Sequence, residues 1–139
     1  MNDRYLYRAK RTDNGEWVEG FYAVTIDKKG LTQHNILIAD NDLLYFKWRV
    51  VDQSTICQCT GLKDKNGKLI WENDIVAYWD SYSTESGLAE ADCIGKVVWD
   101  DETISFQVTN RLSAESYEVL GDECSVIGNV FDNPELLEV

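Results

Sequence analysis

The sequence is poor in the residues that carry most enzymatic chemistry. It contains one histidine, His34, in 139 residues. A Ser-His-Asp or Cys-His arrangement would have to use this side chain, and its neighbours form neither a nucleophile elbow nor a catalytic cysteine motif. The nine glycines are scattered along the chain and form no phosphate-binding loop. We therefore expect a protein that is not an enzyme and that binds no cofactor.

Long apolar runs and a leader pattern are also missing. No stretch approaches the roughly 18 apolar residues that a membrane helix needs. The opening Met1-Asn2-Asp3-Arg4 leads into no apolar segment of a signal peptide. These absences argue against a membrane partner and favour the reducing cytoplasm, where cysteine side chains stay as free thiols.

The four cysteines lack the spacing of a zinc site. Cys57 and Cys59 are closer than the usual pair of zinc ligands, and Cys93 and Cys124 stand alone. Residues two apart in a strand point to the same face. We expect semi-buried thiols and no bound metal, with a four-cysteine zinc site as the alternative.

Basic residues are scarce in the second half of the chain. Residues 71–139 hold two basic and 16 acidic residues, a net charge of −14, whereas residues 1–70 hold 11 and nine, a net charge of +2; the chain total is −12. An acidic surface repels phosphate backbones and attracts basic proteins. Nucleic acid is therefore an unlikely partner, above all for the second half.

Two hypotheses follow from the charge. The first is an acidic decoy that inhibits a host DNA-binding protein, with Asp100, Asp101 and Glu102 on its interaction surface. The second is a nucleic-acid-binding module that uses basic residues near the N-terminus, although strand alternation would divide them between two faces. These residues are Arg4, Arg8, Lys10 and Arg11.

What the chain does contain is a pattern of many short strands with frequent turns, which is typical of an all-β barrel or sandwich. Residues 4–26 form a predicted hairpin, and residues 80–92, with no strong period, form a predicted exposed loop. About five strands follow residue 57, which suits a small barrel. Asn133 and Pro134 predict a short C-terminal helical turn. We expect an N-terminal β subdomain over residues 1–55 and a barrel over residues 56–139.

The segment from Thr60 to Val76 is the most informative part of the sequence. Asn66-Gly67 predicts a two-residue hairpin turn with positive φ at both positions. Asp64 can bond its own backbone two residues on, which bends the chain before the turn. Asn73 fits a second bend because asparagine tolerates the left-handed conformation, and Asp74 is placed to cap a backbone N–H there.

This segment resembles the signature of the YopX family. The likeness continues in the C-terminal Val126–Glu138 and in the N-terminal Tyr7–Val18. The residues that carry this structural signature are Gly61, Asp64, Asn66, Gly67, Asn73, Asp74, Gly128, Asn129 and Pro134. The family usually has glycine where this chain has Asn73.

The resemblance implies a protein of a phage or prophage in a bacterial host, with a fold similar to a small SH3-type β-barrel with additional strands. It implies no biochemical activity and supplies no catalytic residue. We therefore expect a protein-interaction module that binds a protein partner or itself, as a homo-oligomer.

The tryptophans divide between core and surface. Trp71 and Trp99 are predicted to fill the core, because large aromatic side chains do so in a small barrel. Trp79 and Tyr82 border the predicted loop and are the expected exposed contacts, in the way that SH3-like barrels bind peptides through aromatic side chains.

Overall fold

The computed structural model describes residues 3–39, 46–109, 116–118 and 123–137. Within these ranges the chain forms eleven β-strands, all paired antiparallel where partners are assigned, and three short 3-10 helices. The expected mainly-β class is confirmed. The chain divides into two compact units, Met1–Gly61 and Leu62–Val139.

The first unit is built on an antiparallel sheet. Its strands follow the order β4-β3-β2-β1-β5, and β5 continues past Gly61 into the second unit. The expected hairpin is present as β1 and β2, but it belongs to a larger sheet rather than standing alone. The strands are β1 (Tyr7–Lys10), β2 (Trp17–Ile26), β3 (Thr32–Ala39), β4 (Phe46–Val50) and β5 (Cys57–Lys63).

Strand alternation places a buried apolar cluster on one face of this sheet. Ala9, Ile36 and Val51 are buried, and Val18 and Tyr22 pack against them. The register aligns Ala9 with Val18 and Tyr22 with Ile36, so that the two side chains of each pair lie opposite each other on the same face. The opposite face carries the side chains of Trp17, Phe21, Leu37 and Trp48.

The second unit contains a five-stranded antiparallel sheet with the order β10-β9-β8-β7-β11. In the described part of the chain this order is open: β10 and β11 lie at its two ends and do not pair with each other. The barrel expected over residues 56–139 is therefore not closed in the described residues. The five strands are β7 (Asp74–Thr84), β8 (Gly87–Asp100), β9 (Ser105–Thr109), β10 (Ser116–Glu118) and β11 (Cys124–Asn129). The unit also contains the short strand β6 (Leu69–Trp71), which lies next to β5.

The predicted loop at residues 80–92 is wrong. β7 and β8 run through it as one long hairpin, paired from Ile75 opposite Lys96 to Thr84 opposite Gly87. The sequence of this stretch mixes small and acidic residues without an alternation of apolar ones, so it carries no strand signal. Backbone pairing continues where the apolar pattern stops.

The core of the second unit lies on one face of its sheet. Val76 in β7 aligns with Val126 in β11, and Val97 in β8 aligns with Val108 in β9. Tyr78, Phe106 and Val126 are partly buried against the fully buried members of the cluster, which are Ile70, Val76, Val97, Val108 and Cys124.

The chain ends in the expected helical turn, a 3-10 helix over Pro134–Leu137. No helix in the described ranges is long and apolar enough to cross a membrane.

Candidate interaction surfaces

Asp64 is the centre of the β5–β6 connection. Its side chain is 5% exposed, and its two carboxylate oxygens accept three backbone N–H groups. Oδ1 accepts from Asn66 at 2.9 Å and from Lys68 at 2.9 Å. Oδ2 accepts from Val126 at 2.9 Å, which links the connection to β11.

The connection is a three-residue loop rather than the predicted two-residue turn. Gly67 donates its N–H to the Asp64 carbonyl at 3.0 Å, and Asp64 donates to the Lys68 carbonyl at 2.7 Å. Gly67 has φ of +82°, whereas Asn66 does not have positive φ. This is the pattern of a β-turn followed by one left-handed residue. The Asp64 side chain explains the choice, because it holds the N–H groups of Asn66 and Lys68 on either side of the glycine.

The same hydrogen bonds keep Asp64 ionised. Burial opposes the charged form, but the N–H groups of Val126, Lys68 and Asn66 outweigh it and lower the pKa of Asp64. Asn66 adds a side-chain bond, from Nδ2 to Ser125 Oγ at 3.1 Å. Asp64, Asn66 and Gly67 therefore define a structural junction.

Asn73 and Asp74 form a second junction between β6 and β7. Asn73 has φ of +69°, donates its N–H to the Val97 carbonyl at 2.8 Å and accepts from Val130 N–H at 3.0 Å. Asp74 is 1% exposed and accepts the Trp71 N–H at 2.8 Å through Oδ2. Trp71 is buried, as predicted. The bend therefore positions two backbone groups and one carboxylate for structural bonds.

The left-handed conformation at Asn73 leads to a stability prediction. Asn73→Gly should change the free energy of unfolding by less than about 0.5 kcal/mol, because glycine adopts positive φ without strain. Asn73→Val should lower it by about 1–2 kcal/mol, because a Cβ-branched residue is strained there. Urea denaturation of the two variants measures this. Equal stability of the two variants would contradict the assignment.

A third junction joins β11 to the C-terminal turn. Asn129 Oδ1 accepts the N–H groups of Phe131 and Asp132 at 3.0 and 2.9 Å. A Cβ on Gly128 would lie 2.6 Å from Asn133 Oδ1, so any larger residue here would displace the Asn133 side chain. Pro134 opens the terminal 3-10 helix. The side chains of Asp64, Asp74 and Asn129, which belong to the family-like signature, thus accept hydrogen bonds from backbone N–H groups.

The second unit presents an apolar strip on the face of its sheet opposite the core. Trp79 is 57% exposed and Ile94 is 42% exposed. Ile94 aligns with Ala77, which lies two residues before Trp79 on β7, so Trp79 and Ile94 are diagonal neighbours on that face. The backbone of Tyr82 lies in β7, but its side chain is outside the described part of the structure.

A second exposed apolar group lies at the β8–β9 turn. The prediction that Trp99 lies in the core is wrong: its residue is 42% exposed. It is the last but one residue of β8, and the ring of Phe106 packs against its indole at 5.1 Å between ring centroids. Ile104 is 74% exposed and has φ of +53°, a conformation that is unfavourable for a β-branched residue.

The three acidic residues of this turn have different roles. Asp100 accepts the Glu102 N–H at 3.0 Å and the Thr103 hydroxyl at 3.1 Å. Asp101 accepts Nε1 of Trp99 at 2.8 Å. Glu102 is exposed. Two of the carboxylates therefore shape the turn and orient the indole.

The basic residues near the N-terminus are divided by the structure. Arg11 forms a hydrogen-bonded ion pair with Asp13, at 2.8 Å from Nε to Oδ1, and Arg4 lies over the Tyr5 ring. Arg8 and Lys10 are both packed on Trp17, at 4.8 and 5.4 Å from the ring centroid. The cross-strand alignment of Lys10 with Trp17 produces this cluster, and the sequence alone does not give that register.

The histidine and the cysteines, which the sequence offers as other candidates for chemistry, lie in structural surroundings. Tyr22 hydroxyl and His34 Nδ1 are 2.5 Å apart and their rings are stacked. Cys57, Cys59 and Cys124 are buried cysteines outside any disulfide. Burial raises the pKa of the Cys59 thiol, which favours the unreactive protonated form. Among the described residues, no group of three or more potential ligands is arranged to hold a metal ion.

Comparison with known proteins identifies relatives of this architecture. A sequence model of the YopX protein family matches residues 6–138. The crystal structure of protein EF1440 from Enterococcus faecalis is similar over 95% of this chain and 96% of that one, with a TM-score of 0.51 and 24% sequence identity. That likeness shows a shared fold. No curated protein matches the sequence.

Proposed function

Because the chain belongs to the YopX protein family, and because its signature residues form structural junctions, we propose that it is a non-enzymatic protein-interaction module of a phage or prophage, working in the cytoplasm of the bacterial host. Its second unit is proposed to be related to small SH3-type barrels, which bind peptides through exposed aromatic side chains. The partner is a protein, either another chain or a second copy of this one.

The exposed pair of Trp79 and Ile94 carries this proposal. Single exposed apolar residues are common on soluble proteins, but adjacent large ones on a sheet face mark interaction sites more often. Tryptophan is enriched among the residues that dominate binding energy in protein interfaces. The β7–β8 hairpin presents this pair on a paired backbone, so binding does not require the strands to order first.

The turn formed by Trp99 and Ile104 supports the same proposal from another element. The bond from Trp99 Nε1 to Asp101 fixes the indole while leaving much of it exposed. Ile104 keeps a strained backbone conformation and an exposed side chain, although neither contributes to the core. Strain that is maintained without a packing reason is typical of functional sites.

Disruption of the strip should abolish partner binding. We expect that a tagged chain carrying both Trp79→Ala and Ile94→Ser no longer captures the partner that the wild-type chain captures in stoichiometric amount. Each truncation of a central interface residue weakens the binding free energy by about 1–2 kcal/mol or more. The measurement is affinity capture from host and phage-infected cells at two salt concentrations, with light scattering to determine the mass of the purified chain. Ile26→Ser is the matched control, because Ile26 is 73% exposed on the first unit.

The outcomes separate the alternatives. A partner, or a dimer, that is lost with the double variant and kept with Ile26→Ser supports the proposal. Capture of a basic DNA-handling protein that is released at high salt and unaffected by the double variant would replace it with the acidic-decoy hypothesis, which rests on the net charge of −14 over residues 71–139. A monomeric chain without any partner in infected cells would overturn it.

A further inference from the structure

The outer face of the first unit's sheet combines aromatic side chains with two cations. Phe21, Leu37 and Trp48 align directly across β2, β3 and β4. Trp48 is 50% exposed, and the other two are half-buried. Four residues from Phe21 along β2, Trp17 lies on the same face with Arg8 and Lys10 packed on its ring. We call this set the aromatic face.

We propose that the aromatic face binds single-stranded nucleic acid. This site is separate from the Trp79 strip and does not depend on the function proposed for that strip. Bases stack on aromatic side chains whatever their sequence, and nearby cations interact with the phosphates. A sheet surface with aromatic residues on neighbouring strands is one of the common arrangements for this task. Here Trp48 offers the most accessible ring, and Arg8 and Lys10 supply the positive charge.

The net charge of the chain favours binding of single-stranded over double-stranded nucleic acid. Duplex binding without sequence recognition depends on neutralising many phosphates, and a net charge of −12 opposes it. Stacking is available only where bases are unpaired, so it favours the single strand and lessens the dependence on charge. The first unit itself carries eight basic and eight acidic residues, so the negative charge belongs to residues 62–139.

The register places an acidic side chain, Glu19, beside the cations. It aligns with Arg8 and is exposed. A carboxylate there repels a phosphate and limits affinity. Replacing Glu19 by glutamine should therefore strengthen binding of the nucleic acid. A merely structural role for the residues of the aromatic face does not predict this gain.

The test is the fluorescence anisotropy of a labelled oligothymidine of about eight nucleotides, a length within the range of known single-strand sites. With about two phosphates engaged, the logarithm of the binding constant should fall with the logarithm of salt concentration with a slope of about −1.4. Trp48→Ala should weaken binding at least about fivefold. Glu19→Gln should strengthen it about threefold.

Lys47→Gln is the matched control. Lys47 lies on β4 next to Trp48, but it aligns with Ile38 on the core side of the sheet. Its loss should change the dissociation constant by less than about twofold, since it removes a charge without touching the aromatic face. Trp48→Ala is on an exposed site, and its circular dichroism and thermal midpoint should match those of the wild type.

Four outcomes would overturn the proposal. The first is no anisotropy change with the wild-type chain. The second is equal weakening by Trp48→Ala and Lys47→Gln, which would indicate general charge attraction. The third is displacement of the oligonucleotide by polyglutamate at equal charge concentration, which would assign the face to an acidic protein segment. Binding that is stronger for duplex than for single strand would contradict the stacking argument in the same way.

Discussion

Asp64→Ala is expected to lower the free energy of unfolding by about 2–3 kcal/mol. The substitution removes the acceptor of three backbone N–H groups, on Asn66, Lys68 and Val126. A hydrogen bond to a charged group is worth more than a neutral one, and buried donors left without a partner cost free energy as well. The expected loss in the free energy of unfolding is smaller than the contribution of three complete hydrogen bonds, because some of the released N–H groups can bind water instead. Urea denaturation at neutral pH measures it.

The Asp64 carboxylate also predicts a pH dependence. The pKa of Asp64 is lowered in the folded protein, against the opposing effect of burial, by its backbone donors. Its stabilising contribution is therefore present above the unfolded pKa of about 3.9 and is lost as pH falls through the lower folded pKa. The stability difference between the wild type and Asp64→Asn should be largest near neutral pH and should shrink below about pH 4.

Glu102→Gln is the control for both measurements. Glu102 is exposed, and its loss should change stability by less than about 0.5 kcal/mol. A wild-type curve that stays parallel to that of Asp64→Asn down to pH 2 would show that the carboxylate is not an ionised structural group.

Gly20→Ala is expected to destabilise the first unit by about 3 kcal/mol or more. A Cβ at this position would lie 2.2 Å from the Leu37 carbonyl oxygen and 3.0 Å from Ile36 Cγ2. The first contact is with backbone, so a rotamer change cannot relieve it, and β2 and β3 must move apart. Because Ile36 belongs to the core of this unit, the movement should loosen that core as well.

Gly15→Ala is the control for Gly20→Ala, because it replaces a glycine by alanine at a position where the added Cβ meets no other atom. Gly15 has φ of +71° and no atom within 4 Å of an added Cβ. Its substitution should cost only about 1 kcal/mol, from the strain of a left-handed alanine. Denaturant melts and hydrogen exchange of the β2 and β3 amides compare the two variants. Similar losses would contradict the close approach of Leu37 to Gly20.

The sequence predicted those elements whose signal is local. The turn at Gly67 and the bend at Asn73 follow from backbone preferences of one or two residues, and the Pro134 turn follows in the same way. The type of turn at Gly67 was missed because the Asp64 side chain reaches Lys68 and Val126, and the second of these contacts spans 62 residues. Local propensity does not contain that information.

The surfaces were predictable only in part. Trp79 carried a usable signal, its position at the border of a polar stretch. Trp99 looked the same as a core residue in sequence, and only its place at the end of β8 leaves it exposed. The cluster of Arg8, Lys10 and Trp17 depends on the register between β1 and β2, which the intervening turn sets.

The Asp64 junction has a consequence for solubility. β11 is the last strand of its sheet, and an uncovered strand edge invites pairing with other chains. Here the Cys124 carbonyl accepts Lys65 N–H at 3.0 Å, and the Val126 N–H donates to the Asp64 carboxylate, so the β5–β6 loop occupies the place of a further strand. By covering the edge of β11, the loop prevents this strand from pairing with a strand of another chain. A chain in which the loop no longer binds β11 should form fibrillar or amorphous aggregates before it loses its secondary structure.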